Sequence, residues 1–148
     1  MSLRPPPHEA GHPEFGYAAR IETLLWAMTS AGIEGTERLR QQPAGWIGIF
    51  EVLGAHLVQD PGNYSITDAK EEFGMLHLEV IDKRTGGVDT DLLQWCAEQS
   101  SVRCMVFGTR GRPHFELGWV MTLSDAAYDL LIETTNERFL DLVYPSEL

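Results

Sequence analysis

The sequence predicts an α+β fold, with N-terminal helices followed by a ββα-ββα arrangement and a small antiparallel sheet. Two early and two later segments carry apolar residues at helical spacing. Pairs of shorter apolar segments lie between them, bounded by the glycine, proline and asparagine residues that usually flank strands. The link within each pair is short, which favours antiparallel pairing. The 148 residues match the size of one domain that can bury a substantial core.

The domain organisation and cellular class follow from composition. Three consecutive prolines in residues 1–13 predict a flexible Pro-rich arm, so that the single α+β domain spans residues 14–148. No segment approaches the ~20 apolar residues that a membrane span requires. Cys96 and Cys104 are too few for a disulfide framework and are expected to be reduced and buried. We therefore expect a cytoplasmic protein.

The first helices are predicted from apolar spacing and from residues that end helices. One helix is expected over residues 14–31 and ends at Gly32, and a short helical piece covers residues 36–41. A second amphipathic helix starts near Trp46 and ends before the turn signal of residues 60–63. The apolar positions of the two longer helices include Ile21, Leu24, Leu25, Met28, Ile49, Phe50, Leu53 and Leu57.

Two pairs of strands are predicted in the second half of the chain. The first pair covers residues 64–70 and 75–81, joined by a turn at residues 72–74. The second pair covers residues 102–107 and 115–123, joined by a glycine-rich loop. Each pair precedes a helix, which completes the ββα-ββα order.

The two later helices have recognisable N-terminal caps. Asp89 or Thr90 is expected to cap a helix that ends near Ser100, and Ser124 to cap a single final helix. Four large side chains are expected in the core. They are Trp46, near the start of the second helix, and Phe73, Leu76 and Trp119 in the second half of the chain.

The net charge of −11 restricts the class of partner. Affinity for nucleic acid comes from cationic side chains that neutralise phosphates, so direct binding of DNA or RNA is not expected. An acidic surface favours a cationic protein partner, or simply solubility. A homo-oligomer is compatible with the sequence, and a membrane partner is not expected.

No intact catalytic motif is found in the sequence. It contains no Ser/His/Asp nucleophile signature, P-loop or GxGxxG motif. Glu71 and Glu72 could form an acid/base pair with Asp68, but adjacent residues in an extended segment point in opposite directions. We therefore expect neither enzymatic activity nor a cofactor.

An ordered set of short motifs is spread over about 86 residues, from Trp46 to Leu131. They are Gly45-Trp46, Lys70-Glu71-Glu72-Phe73-Gly74, Ala97-Glu98-Gln99-Ser100, the segment from Cys104 to Gly111, and Trp119-Val120-Met121-Thr122-Leu123-Ser124. In order and spacing the chain resembles a family of small, mostly uncharacterised bacterial and phage proteins. That family's pattern contains Lys-Glu-Lys-Phe-Gly, then Cys-x-x-Cys-Gly, then Thr-Leu-Cys followed by a fourth Cys or His.

The resemblance implies a tetrahedral zinc site whose ligands are mostly missing here. Two pairs of ligands at such spacing can share one zinc ion. Cys104 remains, but Phe107 stands at the second ligand position, Ser124 at the third and Ala127 at about the fourth. One thiolate cannot hold structural zinc, so no metal is expected. Phe107 and Ala127 are expected to fill the space with apolar side chains.

The predicted last helix carries acidic residues at every fourth position. Like charges at this spacing destabilise a helix by about 0.2–0.5 kcal/mol per pair, and only Arg138 offsets the row. On one continuous helix the carboxylates would form a slanting line on a single surface. That surface is either simply solvated, which we favour, or binds a cationic partner. The acidic residues are Asp125, Asp129, Glu133, Glu137 and Asp141.

Three hypotheses of function remain. The leading hypothesis is a non-enzymatic acidic binding protein that inhibits or neutralises another protein, of a toxin-immunity or phage anti-defence type. The second is a structural or regulatory remnant of a zinc-knuckle protein. The third is a small enzyme. A flat acidic face would favour the inhibitor, and a clustered His/Glu/Cys pocket would favour the enzyme.

Overall fold

The computed structural model describes residues 16–87, 89–115 and 118–145, and it confirms the α+β fold class. The arm expected over residues 1–13 lies outside the described residues. Two short 3₁₀ helices, Thr36–Gln41 and Ala44–Trp46, lie between the first two α-helices. The α-helices and strands are α1 (Tyr17–Ser30), α2 (Ile47–Leu57), β1 (Tyr64–Glu72), β2 (Met75–Asp82), α3 (Thr90–Ser100), β3 (Arg112–His114), β4 (Met121–Leu123), α4 (Asp125–Glu133) and α5 (Asn136–Val143).

The helices and the first hairpin follow the sequence pattern closely. The helix expected over residues 14–31 is α1, which packs against α2. β1 and β2 pair in an antiparallel register that places Glu72 opposite Met75, so the connecting turn has two residues. α3 packs across β2, and the Ser100 hydroxyl accepts a hydrogen bond from the Leu76 amide at 2.8 Å. Asp89 caps α3 by accepting from the Leu92 amide at 3.0 Å.

The expected strand over residues 102–107 is wrong. This segment forms consecutive buried turns, with one isolated bridge between Arg103 and Arg110. Its amides bond to separate partners: the Cys104 amide donates to the Thr109 carbonyl at 2.6 Å, and the Met105 amide donates to the Thr122 carbonyl at 2.9 Å. Because these partners lie on different segments, no ladder forms. β3 instead lies in the expected loop and pairs with β4.

The expected single last helix is also wrong, because it divides into α4 and α5. Thr134 has an extended backbone, with φ −128° and ψ 178°, which ends α4. The Thr135 hydroxyl then accepts a hydrogen bond from the Arg138 amide at 3.2 Å and caps α5. A β-branched residue that caps a new helix competes with continuation of the old one. The regular line of five carboxylates expected on one helix is therefore interrupted between Glu133 and Glu137.

The described residues share one hydrophobic core, to which all five α-helices contribute. Trp46 and Leu76 are buried in it, as expected. Phe73 and Trp119 are not core residues, because their exposed fractions are 72% and 45%. Both lie at hairpin ends rather than on the inner faces of strands. Each α-helix in the described part of the chain is too short or too polar to span a bilayer.

Candidate functional site

The segment that follows α3 forms a tight turn around the Cys104 sulfur. The Phe107 amide donates to Cys104 Sγ at 3.4 Å, and the Gly108 amide donates to the Cys104 carbonyl at 2.9 Å. Gly108 has φ +75°, which a residue with a side chain rarely adopts. This turn holds the buried Cys104 sulfur against one backbone N–H group, that of Phe107.

The other two positions of the expected metal site lie beside this turn. The Ser124 hydroxyl donates to Cys104 Sγ at 3.4 Å and accepts from the Ala127 amide at 3.2 Å. Two sulfurs on one tetrahedral zinc would be roughly 3.8 Å apart, for Zn–S bonds of ~2.3 Å. Phe107 and Ala127 are buried. Hydrogen bonds therefore link the four positions to one another, and two of them carry buried apolar side chains.

The other cysteine lies on α3, away from this turn. Cys96 is fully buried, and burial raises the pKa of its thiol to about 12, with a smaller contribution from Asp89. A thiol with that pKa is protonated at neutral pH and is a poor nucleophile. Among the described residues, no group of three or more His, Cys, Asp or Glu side chains is placed to hold a metal ion.

The acidic pair considered for catalysis has a structural role. Glu71 Oε2 accepts from the Gly74 amide at 2.8 Å, and Oε1 accepts from the Tyr144 hydroxyl at 3.3 Å. Burial, and next the Glu71 carboxylate, raise the pKa of that tyrosine above its usual range. The neighbouring Glu72 pairs with Lys70, with an N–O distance of 3.7 Å. Glu71 thus stabilises the β1–β2 turn by hydrogen bonding.

The five acidic residues of α4 and α5 are all exposed, and we call them the acidic surface. Asp125 pairs weakly with Arg112, at 3.4 Å between two largely exposed side chains. Arg138 is the single Lys or Arg residue in α4 and α5. The helix break changes the local energetics, because Glu137 lies in the first turn of α5 and is stabilised by that helix dipole. The acidic surface is Asp125, Asp129, Glu133, Glu137 and Asp141.

A shallow groove lies between α1 and α2, and it has no row of exposed carboxylates like the acidic surface. Its volume is about 340 Å³, and its lining is mostly apolar. The Arg20 guanidinium donates to the Glu51 carboxylate at 2.9 Å, so these two lining charges pair with each other. The lining residues are Ala19, Arg20, Thr23, Leu24, Ala27 and Glu51, and they include no histidine or cysteine.

Exposed apolar side chains are the surface feature that the sequence pattern missed. The described large hydrophobic side chains that are exposed include Phe73 and Trp119, both expected in the core. The sequence signal for the exposure of Phe73 is the Phe-Gly pair at the tip of a two-residue hairpin, because neither turn residue of such a hairpin faces the sheet.

Comparisons with protein-family models, curated proteins and solved structures gave no match to this chain. The family resemblance based on the Lys70–Gly74 and Cys104–Gly111 motifs therefore stays a prediction.

Proposed function

We propose that this protein is a non-enzymatic binder that docks on a basic protein partner through the acidic surface and inhibits or neutralises that partner. The observation that carries the proposal is the exposure of five carboxylates on two consecutive helices with one guanidinium between them. Complementary charge accelerates association and suppresses binding to acidic competitors. A toxin-immunity protein or an anti-defence inhibitor would use such a surface to cover a basic groove.

The arrangement of the charges supports docking more than structural use. Asp129 has like charges four residues away on both sides in α4, namely Asp125 and Glu133, and each pair costs the helix about 0.2–0.5 kcal/mol. Glu133 is also the last residue of α4, where the helix dipole disfavours a negative charge. Asp129 and Glu133 therefore destabilise α4. A bound cationic partner would offset this loss of stability.

Removing the charges of Asp129 and Glu133 should affect both stability and association. The double variant Asp129→Asn/Glu133→Gln is expected to raise the free energy of unfolding by about 0.5–1 kcal/mol, because two like-charge pairs disappear. It should also slow association with the partner, since charges at the edge of an interface act mainly on the association rate. The partner is captured from a lysate of the native host, identified by mass spectrometry, purified, and its association rate measured at rising salt.

A matched control separates local from global charge effects. Asp91→Asn/Glu98→Gln on α3 removes the same net charge from exposed positions elsewhere. This control should leave the association rate nearly unchanged. If both variants bind with the wild-type rate and salt dependence, the acidic surface does not dock the partner. A captured partner that is itself acidic would contradict the proposal independently.

The Cys104 turn supports a second candidate, a structural remnant of a zinc-knuckle protein. We expect the purified protein to contain no stoichiometric zinc, because Phe107, Ser124 and Ala127 cannot replace thiolates. Elemental analysis measures this directly, and about one zinc per chain would contradict it. The triple variant Phe107→Cys/Ser124→Cys/Ala127→Cys should bind about one zinc, since hydrogen bonds link all four positions. A triple variant that folds but binds no zinc would refute the remnant hypothesis.

A further inference from the structure

Four of the five exposed large hydrophobic side chains among the described residues lie at one end of the molecule. We call this set the apolar patch. The fifth, Trp26, lies on α1 and is 73% exposed. The apolar patch consists of Phe73 (72% exposed), Phe115 (67%), Trp119 (45%) and Ile132 (64%).

Contacts between the two hairpins bring three of these side chains together. The Thr122 hydroxyl donates to the Gly74 carbonyl at 2.9 Å, which joins the β1–β2 turn to β4. Phe73 precedes Gly74, and Trp119 lies three residues before Thr122, at most about 11 Å of extended chain. The Gly118 amide donates to the Phe115 carbonyl at 3.1 Å, which closes the loop that carries Phe115 and Trp119.

The direction of α4 brings Ile132 to the same end. Asp125, at the start of α4, pairs with Arg112 at the start of β3. One turn later, the Tyr128 ring stacks on His114 at the end of β3, with ring centroids 4.5 Å apart and planes at 18°. α4 therefore runs along β3 in the same direction. Ile132, one further turn along the same helix face, lies beyond β3 on the side of the loop that begins at residue 115.

Phe73 occupies a backbone conformation that does not suit it. Its φ is +55°, and the following Gly74 has φ +78°, as in a type I′ hairpin turn. Such turns prefer Asn-Gly, and a bulky residue in the left-handed region is an outlier. Phe73 gains little burial in return. The surroundings impose the conformation, because Glu71 and Thr122 bond to the amide and carbonyl of Gly74. Strain held in this way at an exposed side chain points to a contact outside the chain.

Charges around the apolar patch indicate what kind of molecule makes that contact. Glu71 and Glu72 precede Phe73, while Asp129 and Glu133 flank Ile132 on α4. Two cations of the same hairpins are already paired, Lys70 with Glu72 and Arg112 with Asp125. A second copy of this chain would bring a second net charge of −11, and anionic lipid would also be repelled. A cationic protein surface is complementary to this charge distribution.

We propose that the apolar patch anchors a protein partner that presents an apolar socket rimmed by lysine and arginine. The inference deepens the proposed function and rests on it: the acidic surface steers a basic partner, and the apolar patch holds it. Aromatic side chains at the centre of an interface commonly dominate its affinity, while charges at the edge set the rate of association.

Three synthetic helical peptides serve as probes. One presents leucines on one face and lysines on the other, the second has alanine in place of leucine, and the third has glutamate in place of lysine. Fluorescence anisotropy of each labelled peptide gives its Kd. The wild-type protein is expected to bind the Lys/Leu peptide about tenfold more tightly than the Lys/Ala peptide, and the Glu/Leu peptide least.

The variant Phe73→Asn tests the apolar patch, because asparagine suits the turn. It is expected to raise Tm by roughly 2–4 °C while weakening Lys/Leu binding about tenfold and leaving Lys/Ala binding unchanged. Trp119→Ser, which does not depend on the turn, should weaken Lys/Leu binding in the same way. Trp26→Ser, which changes an aromatic residue on α1 that is 73% exposed, should change neither affinity.

The outcomes separate the two proposals. If the two lysine peptides bind equally to the wild type, the apolar patch is not an anchor but the acidic surface stands. If neither lysine peptide binds, the proposed function itself fails. A wild-type dimer in sedimentation experiments, abolished by Phe73→Asn, would assign the patch to a second copy and overturn the proposal. Cosedimentation with phosphatidylcholine vesicles, lost in the same variant, would overturn it in favour of a lipid surface.

Discussion

Replacing Trp46 with alanine is expected to lower the free energy of unfolding by about 3–5 kcal/mol, and Tm by roughly 10 °C. Trp46 is fully buried and lies in the 3₁₀ helix Ala44–Trp46, against which α5 packs. An alanine at this position would leave a cavity that the surrounding helices can close only in part. Thermal and urea denaturation followed by circular dichroism measure the loss.

The matched control for this prediction is Trp26→Ala. This side chain is 73% exposed on α1, so its truncation should change stability by no more than about 0.5 kcal/mol. Equal losses for the two variants would contradict the assignment of Trp46 to the core.

Gly45→Ala is expected to destabilise the protein by about 3 kcal/mol or more, although it adds only one methyl group. The added Cβ would lie 2.0 Å from the Cys104 carbonyl oxygen and 2.7 Å from the carbonyl carbon of Met105. Both are backbone atoms, so no rotamer change relieves the overlap. The Gly45 amide also donates to the Met105 carbonyl at 2.9 Å, which fixes the separation of the two segments. Chemical denaturation measures the change in stability.

Gly86→Ala is the comparison at a glycine where an added Cβ meets no other atom. Gly86 has φ +70° but no atom within 4 Å of an added Cβ, so its replacement should cost only about 1–2 kcal/mol of strain. A Gly45→Ala variant as stable as Gly86→Ala would show that the Cys104 turn and the Ala44–Trp46 helix are not in the close contact described above.

The elements that the sequence predicts well are those determined by local chemistry. α1 and the Thr36–Gln41 helix end at glycine or proline signals, and the first hairpin follows alternating apolar residues. The caps of α3 and α4, Asp89 and Ser124, were also predicted, because capping depends on one side chain and an amide three residues away.

The wrong elements depend on contacts between distant segments. The apolar run at residues 102–107 satisfies the pattern of a buried strand, but its amides bond to Thr109 and Thr122, which periodicity cannot show. The helix break depends on Thr135 capping α5, a local signal that was masked by the regular spacing of the acidic residues. The acidic residues are identifiable by type, and the exposure of Phe73 follows from its place in a two-residue turn. The approach of the two hairpins that carry Phe73 and Trp119 depends on a contact between distant segments.

A basic protein is proposed to bind at the end of the molecule where the apolar patch and α4 meet. NMR of the isotope-labelled protein, titrated with the Lys/Leu peptide, locates the binding surface residue by residue. The backbone amide shifts are expected to change at residues 72–76, 118–122 and along α4, and to stay constant on the exposed face of α1 around Trp26. Shift changes confined to α1 and α2, or the same changes with the Phe73→Asn variant as with the wild type, would contradict the proposal.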